Sequence, residues 1–264
     1  MRLGFIGCGN MARAIMQGII AKGLVAPEEI LGSNTTTERA NETHELLGIQ
    51  TTTDNTQVAG QSDIVFLCVK PQQYESVITE IADHLHERQI LVSIAPGKTL
   101  AWLGETVGHP AKIVRVMPNT PALVGEGMTT FCVGDLVSPD EARIIKELLE
   151  SFGLAIELKE SLMDAASAVG GSAPAYVYMF IEALADGGVA EGLPRDQAIA
   201  LAAQTVLGSA KMVLGTDKHP GQLKDEVCSP GGSTIVGVNV LEEGAFRGTV
   251  MDAIQACAAK ARSL

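Results

Sequence analysis

Basic residues are scarce in this chain. Nineteen Lys and Arg face 31 Asp and Glu, giving a formal net charge of −12, and no Lys/Arg cluster offsets the deficit. So acidic a surface is a poor match to a phosphate backbone, and no nucleic-acid partner is expected. Cysteine pairing is missing too. Cys8, Cys68, Cys132, Cys228 and Cys257 are odd in number and form no C-x-x-C pair, so free thiols in a reducing cytoplasm are expected. His44, His84, His86, His109 and His219 fall into no H-E-x-x-H or nucleophile-activating set, and no metal site is expected. The longest uncharged run, residues 165–181, is broken by Gly170, Gly171 and Pro174, which argues against a membrane span there. With an apolar strand expected from Leu3, no secretory leader is expected. No internal repeat of roughly 20–50 residues, no low-complexity segment and no flexible linker is visible.

What is present begins with the glycine-rich segment RLGFIGCGNMARA at residues 2–14. Leu3, Phe5 and Ile6 read as a buried strand. Gly7, Gly9 and Ala12 follow at G-x-G-x-x-A spacing, and a helical apolar period opens at Met11. Gly7 lets the chain turn off the strand, Gly9 lets a pyrophosphate approach the backbone, and Ala12 lets the helix pack on the sheet. The helix start would then offer its free N–H groups to phosphate. The plainer alternative is a glycine turn that only links strand to helix. Residues 29–32 predict a second strand, ending at Ser33, Asn34 and Thr35 with Arg39 close behind. NAD-specific folds place Asp or Glu about 20 residues beyond the glycines to hold the ribose 2′-hydroxyl. Neutral donors there favour the 2′-phosphate of NADPH, with NADH as the alternative coenzyme. The same residues also suit an ordinary turn.

Residues 63–70 (DIVFLCVK), 89–94 and 112–116 predict further buried strands, ending in Pro71, in Ala95 and Pro96, and in the MPNTP motif at 117–121. Alternation with helical patterns such as 74–86 gives a Rossmann-type α/β fold, a doubly wound parallel sheet whose ligands lie beyond the carboxyl ends of its strands. Strands at 129–133 and 154–158 flank a helix signalled by Ser138, Pro139 and Glu141 at its start and Gly153 past its end. Ser161 and Asp164 suggest another capping pair. Beyond Lys159 strand patterns largely disappear, and Ala-rich helices are expected at about 173–189, 195–214 and 248–261. The division expected is 1–159, binding the dinucleotide, and 160–264, all-α. In the second part SPGGST at 229–234 offers amides and hydroxyls at a helix start. A small carboxylate fits them, and so does an ordinary helix-start loop.

With these pieces placed, the chain resembles the pyrroline-5-carboxylate reductases, which make proline. The resemblance rests on IGCGNMA (6–12), VKP (69–71), MPNTP (117–121), GGSAPAY apart from Ala173 (170–176) and HPGQLKDEVCSPGGST (219–234), in the family's order and spanning essentially the whole chain. Pro96, Ala173 and Cys228 depart from the residues usual in that family. The resemblance implies an all-α C-terminal domain that binds substrate and forms an interlocked homodimer, often within a ring of dimers. It implies cofactor contacts from Ile6, Gly7, Cys8, Gly9, Asn10, Met11, Ser33, Asn34, Thr35, Asn55, Cys68, Val69, Lys70 and Pro71. Ala95 and Pro96 fall on the loop expected beside the nicotinamide. It further implies that Gly232, Ser233 and Thr234 bind the carboxylate of 1-pyrroline-5-carboxylate, with Thr234 the catalytic residue beside the ring nitrogen. An interlocked dimer would let that loop meet the cofactor of the other subunit.

Two rivals are weaker on the residues. A β-hydroxyacid dehydrogenase shares the two-domain plan but uses a Lys shortly after a glycine-rich helix start, and after Gly170-Gly171-Ser172 the next Lys is Lys211. A non-catalytic NADP sensor would keep the glycine loop with no reason to keep SPGGST.

Overall fold

The computed structural model describes residues 1–262. Eight strands form one sheet: β1 (Leu3–Ile6), β2 (Ile30–Ser33), β3 (Gln50–Thr52), β4 (Ile64–Leu67), β5 (Ile90–Ser93), β6 (Lys112–Met117), β7 (Gly127–Val133) and β8 (Gly153–Glu157). Their order is β3-β2-β1-β4-β5-β6-β7-β8. Chain direction across the sheet reverses between β1 and β4, and the crevice above that point is where doubly wound folds bind ligands.

All four residues of β1, β2, β4 and β5 are buried, because helices cover both faces of the sheet. The pleat then deals alternate side chains to opposite cores. Phe5 and Phe66 join Ile15, Met16, Ile145 and Phe152 on one face, their rings stacked 4.7 Å apart. Ile6, Val65 and Leu67 join Val58, Ile78 and Leu103 on the other.

One expectation needs correcting. The sheet is not wholly parallel, since β6 and β7 run antiparallel. The segment between them holds only a 3-10 turn, Thr120–Val124, closed by Gly125 at φ 75°. So short a link cannot make the crossover that parallel neighbours need. Strand β3 was not expected at all. It is a polar edge strand recruited by its pairing with β2.

The Ser138–Glu141 capping box forms: Glu141 N donates to Ser138 Oγ (3.3 Å), and Ser138 N donates to Glu141 Oε2 (2.9 Å). The pairing expected of Ser161 and Asp164 does not. Ser161 lies in a 3-10 turn, and Asp164 accepts from Arg115 Nη2 at 3.2 Å. Arg115 is 6% exposed, and a buried guanidinium claims the nearest carboxylates, Glu160 included.

By contacts the chain forms two compact units, Met1–Ser172 joined by the chain from Cys257 on, and Ala173–Ala256. The division falls beyond Lys159, because the segment after it is tied to the sheet through Arg115 and through Asn119, whose Nδ2 donates to Gly170 O at 2.8 Å. In the second unit helices Ala173–Ala190 and Arg195–Gly215 pack through Ala185, Ala198 and Ala202. Val177, Met179, Leu201, Leu214, Val240 and Met251 stay exposed. By length and composition alone, Arg195–Gly215 is long and apolar enough to cross a membrane.

Candidate cofactor site

The site is built where β1 ends. Gly7 has φ +90°, a conformation that side chains strain, and its N–H and that of Cys8 both donate to Ser33 O at 3.1 and 3.2 Å. Cys68 N donates to Ile6 O at 2.8 Å. The turn is thus held between the ends of β2 and β4. It delivers the chain into helix Asn10–Ala21, whose capping residue, Gly9, has no side chain to offer the first amides. A Cβ added to Gly9 would meet no protein atom within 4 Å. Packing therefore does not demand glycine there, but close approach of a ligand to the backbone does.

A cavity of about 390 Å³ opens over this turn. Of the residues expected at the cofactor, Gly7, Cys8, Gly9, Asn10, Asn34, Thr35, Cys68, Val69 and Lys70 line it. Ile6, Met11, Ser33, Asn55, Pro71, Ala95 and Pro96 are not among its walls. Ser33 and Asn55 are instead engaged with each other, the Ser33 hydroxyl donating to Asn55 Oδ1 at 2.7 Å. Arg13, Arg39, Glu42 and Gln73 complete the lining, so Arg13, Arg39 and Lys70 set three cations against one carboxylate. On a chain of net charge −12 this local excess suits an anionic ligand.

The thiols in the cavity are not nucleophiles. Burial pushes Cys8 up to about 12, only partly opposed by the Arg13 charge. Burial also raises Cys68 well above the usual thiol range. Tyr74, which does not line the cavity, braces the strand ends: its hydroxyl donates to Leu67 O at 2.5 Å and accepts from Ile94 N at 3.2 Å, tying the ends of β4 and β5. Burial pushes its hydroxyl above the usual phenol range, so it stays protonated. The sequence reading missed Arg13, Gln73 and Tyr74. Only Arg13 carried a signal, being a cation near the positive end of a helix.

The second expected site lies in the other unit, at the start of helix Ser233–Glu243. Gly231 turns at φ +69°, and a Cβ on Gly232 would strike Ser229 Oγ. Gly232 N donates to Ser229 O at 3.0 Å, which takes that amide out of play. Ser233 and Thr234 are exposed, and Gly232, as the cap, leaves their amides without a side-chain acceptor from that position.

A family described as NADP oxidoreductase, coenzyme F420-dependent, matches residues 2–97, over the whole glycine turn and cavity. Fold, site and this match define an NADP-dependent oxidoreductase. A second model, pyrroline-5-carboxylate reductase dimerisation, matches residues 160–264. Pyrroline-5-carboxylate reductase of Escherichia coli (strain K12) is 46% identical over 263 residues, covering 100% of this chain and 98% of the relative. Among solved structures, the pyrroline-5-carboxylate reductase of Coxiella burnetii aligns with a TM-score of 0.94 at 36% identity, over 99% of this chain and 97% of that one. The Plasmodium falciparum pyrroline carboxylate reductase with NADP bound gives 0.90 at 38% identity, over 100% and 97%. The chain belongs to the pyrroline-5-carboxylate reductase family. Its C-terminal part is the dimerisation region of that family.

Proposed function

We propose that this chain reduces 1-pyrroline-5-carboxylate to L-proline with NADPH. The observation that carries this reading is that likeness to the reductases covers the cofactor half and the helical half together, 100% of the chain. NADPH, when bound, supplies a hydride for the carbon of the C=N bond. That bond's electron pair passes to a nitrogen that is already protonated, so the substrate is electrophilic without a strong acid from the protein. What the residues must provide is position. The N–H groups of Ser233 and Thr234 receive the substrate carboxylate at the helix start, and Gly232 admits it by lacking a side chain. The Thr234 hydroxyl holds the ring nitrogen. Gly7, Gly9 and Asn10 seat the diphosphate on the first helix, and Asn34, Thr35 and Arg39 face the adenosine ribose.

The exposed apolar side chains of the second unit fit burial between copies of this chain better than contact with lipid. Helix Arg195–Gly215 belongs to the same reading, and dimers gathering into a ring in the cytoplasm extend it. The test is loss of NADPH absorbance on adding 1-pyrroline-5-carboxylate, with formation of proline. Thr234→Ala should lower turnover well beyond any loss in NADPH binding. Equal loss of both would remove Thr234 from its role, and NADPH bound without turnover would favour the sensor.

A further inference from the structure

Arg13 lines the cavity, and the packing of the fold does not account for a cation there. It is the fourth residue of helix Asn10–Ala21, near the end where the aligned peptide dipoles concentrate positive charge. A cation is disfavoured there unless an anion faces it. Its Nη2 donates to Thr43 Oγ1 at 3.1 Å and stands 3.8 Å from Glu42 Oε2. Its Nε is buried with no partner among the described residues. A buried N–H of a charged group left unpaired is costly, and the cost is recovered only when an acceptor arrives.

The surroundings say which acceptor. Arg13 shares the cavity wall with Asn34, Thr35 and Arg39, at the end of β2 where a doubly wound fold places the adenosine ribose. Thr43, fully buried, fixes the group: it accepts from Arg13 Nη2 and from Asn34 Nδ2 (3.2 Å) and donates to Arg39 O (2.9 Å). Two guanidinium groups and an amide thus converge beside the ribose position. We propose that Arg13, together with Arg39, grips the 2′-phosphate of NADPH and is the main determinant of coenzyme choice in this chain. Glu42, whose side chain is 65% exposed, is the competing anion, which yields Arg13 to the phosphate and turns to solvent. The proposal deepens the NADPH reading and rests on it. A guanidinium matches phosphate through paired N–H donors, which an ammonium cannot copy.

The test uses adenosine 2′,5′-bisphosphate and adenosine 5′-monophosphate, which differ only in the 2′-phosphate, titrated calorimetrically into the full chain. Arg13→Gln should weaken the bisphosphate about ten- to a hundredfold and leave the monophosphate within about twofold. Arg13→Lys, which keeps the charge and so guards against a folding failure, should fall between. Glu42→Gln should tighten the bisphosphate a few-fold. Equal losses on both probes would make Arg13 a diphosphate or adenine contact and overturn the proposal, as would an unchanged bisphosphate affinity. A wild-type chain with no preference for the bisphosphate would overturn the underlying NADPH reading instead.

Discussion

Replacing Gly9 with Ala should leave the fold almost untouched while removing most of the NADPH affinity. Gly9 has φ −77° and ψ −173°, which alanine adopts freely, and the new methyl meets no protein atom within 4 Å. Alanine narrows the unfolded ensemble, a gain of about 0.4–1 kcal/mol. Its poorer fit at a helix cap offsets most of that. The net change is within about 0.5 kcal/mol, under about 2 °C in melting midpoint for a chain of this size. The same methyl fills the space through which a diphosphate reaches the helix amides. Losing one charge-assisted hydrogen bond costs about 1.5–3 kcal/mol, roughly ten- to a hundredfold in affinity. Gly7→Ala is the contrasting control. At φ +90° its Cβ would lie 2.9 Å from Val69 Cγ1 and 3.1 Å from Val69 N. Strain and overlap together amount to about 2–6 kcal/mol, a midpoint lower by roughly 5–20 °C. Calorimetric titration with NADPH, run beside ligand-free melts, reads both quantities. Gly9→Ala binding NADPH as tightly as wild type, or melting as low as Gly7→Ala, would refute the cradle.

Tyr74→Phe removes the hydroxyl shared by Leu67 O and Ile94 N, so stability should fall by about 1–3 kcal/mol in urea unfolding, and an unchanged midpoint would deny the brace. A carboxylate meant to reject the 2′-phosphate belongs at Thr35, which is exposed on the cavity wall, because the Ser33 hydroxyl is buried against Asn55. Thr35→Asp should therefore weaken NADPH several-fold relative to NADH in steady-state comparison, and an unmoved ratio would sink that placement. His109 turns its ring nitrogens to Ala82 O (3.0 Å) and Pro110 O (3.2 Å), and these bonds, the Ala82 one foremost, raise it above its ordinary value of 6.5. A raised folded-state value means the charged form contributes stability in full below 6.5, lost as pH climbs through the higher value. The stability gap between wild type and His109→Gln should shrink toward alkaline pH, and a gap that widened would refute it.

How far the fold could be read from residues depended on whether local pattern or distant pairing decides each part. Strands β1, β4 and β5 were legible because burial on both faces demands unbroken apolar runs, and β2 was placed with its start one residue early. Strand β3, Gln50-Thr51-Thr52, has no such run and exists through its neighbour. The reversal at β7 follows from a connection too short to cross over, which a strand-by-strand reading does not weigh. At the site, the glycine turn and the ends of β2 and β4 were legible as motif. The role of Arg13 was not, because it depends on Thr43, thirty positions away in sequence. Ser33 is expected at the cofactor as a hydroxyl at a strand end, and the pairing of that hydroxyl was not legible in the sequence. Its partner, Asn55, lies 22 residues on.

The helices after Ser172 enclose little more than the methyls of Ala185, Ala198 and Ala202. Three alanines are a meagre interior for so much apolar side chain, and the dimer proposed above would supply what that unit lacks. Denaturation should then obey mass action: a more concentrated sample melts later, and extreme dilution brings dissociation and loss of helix on together.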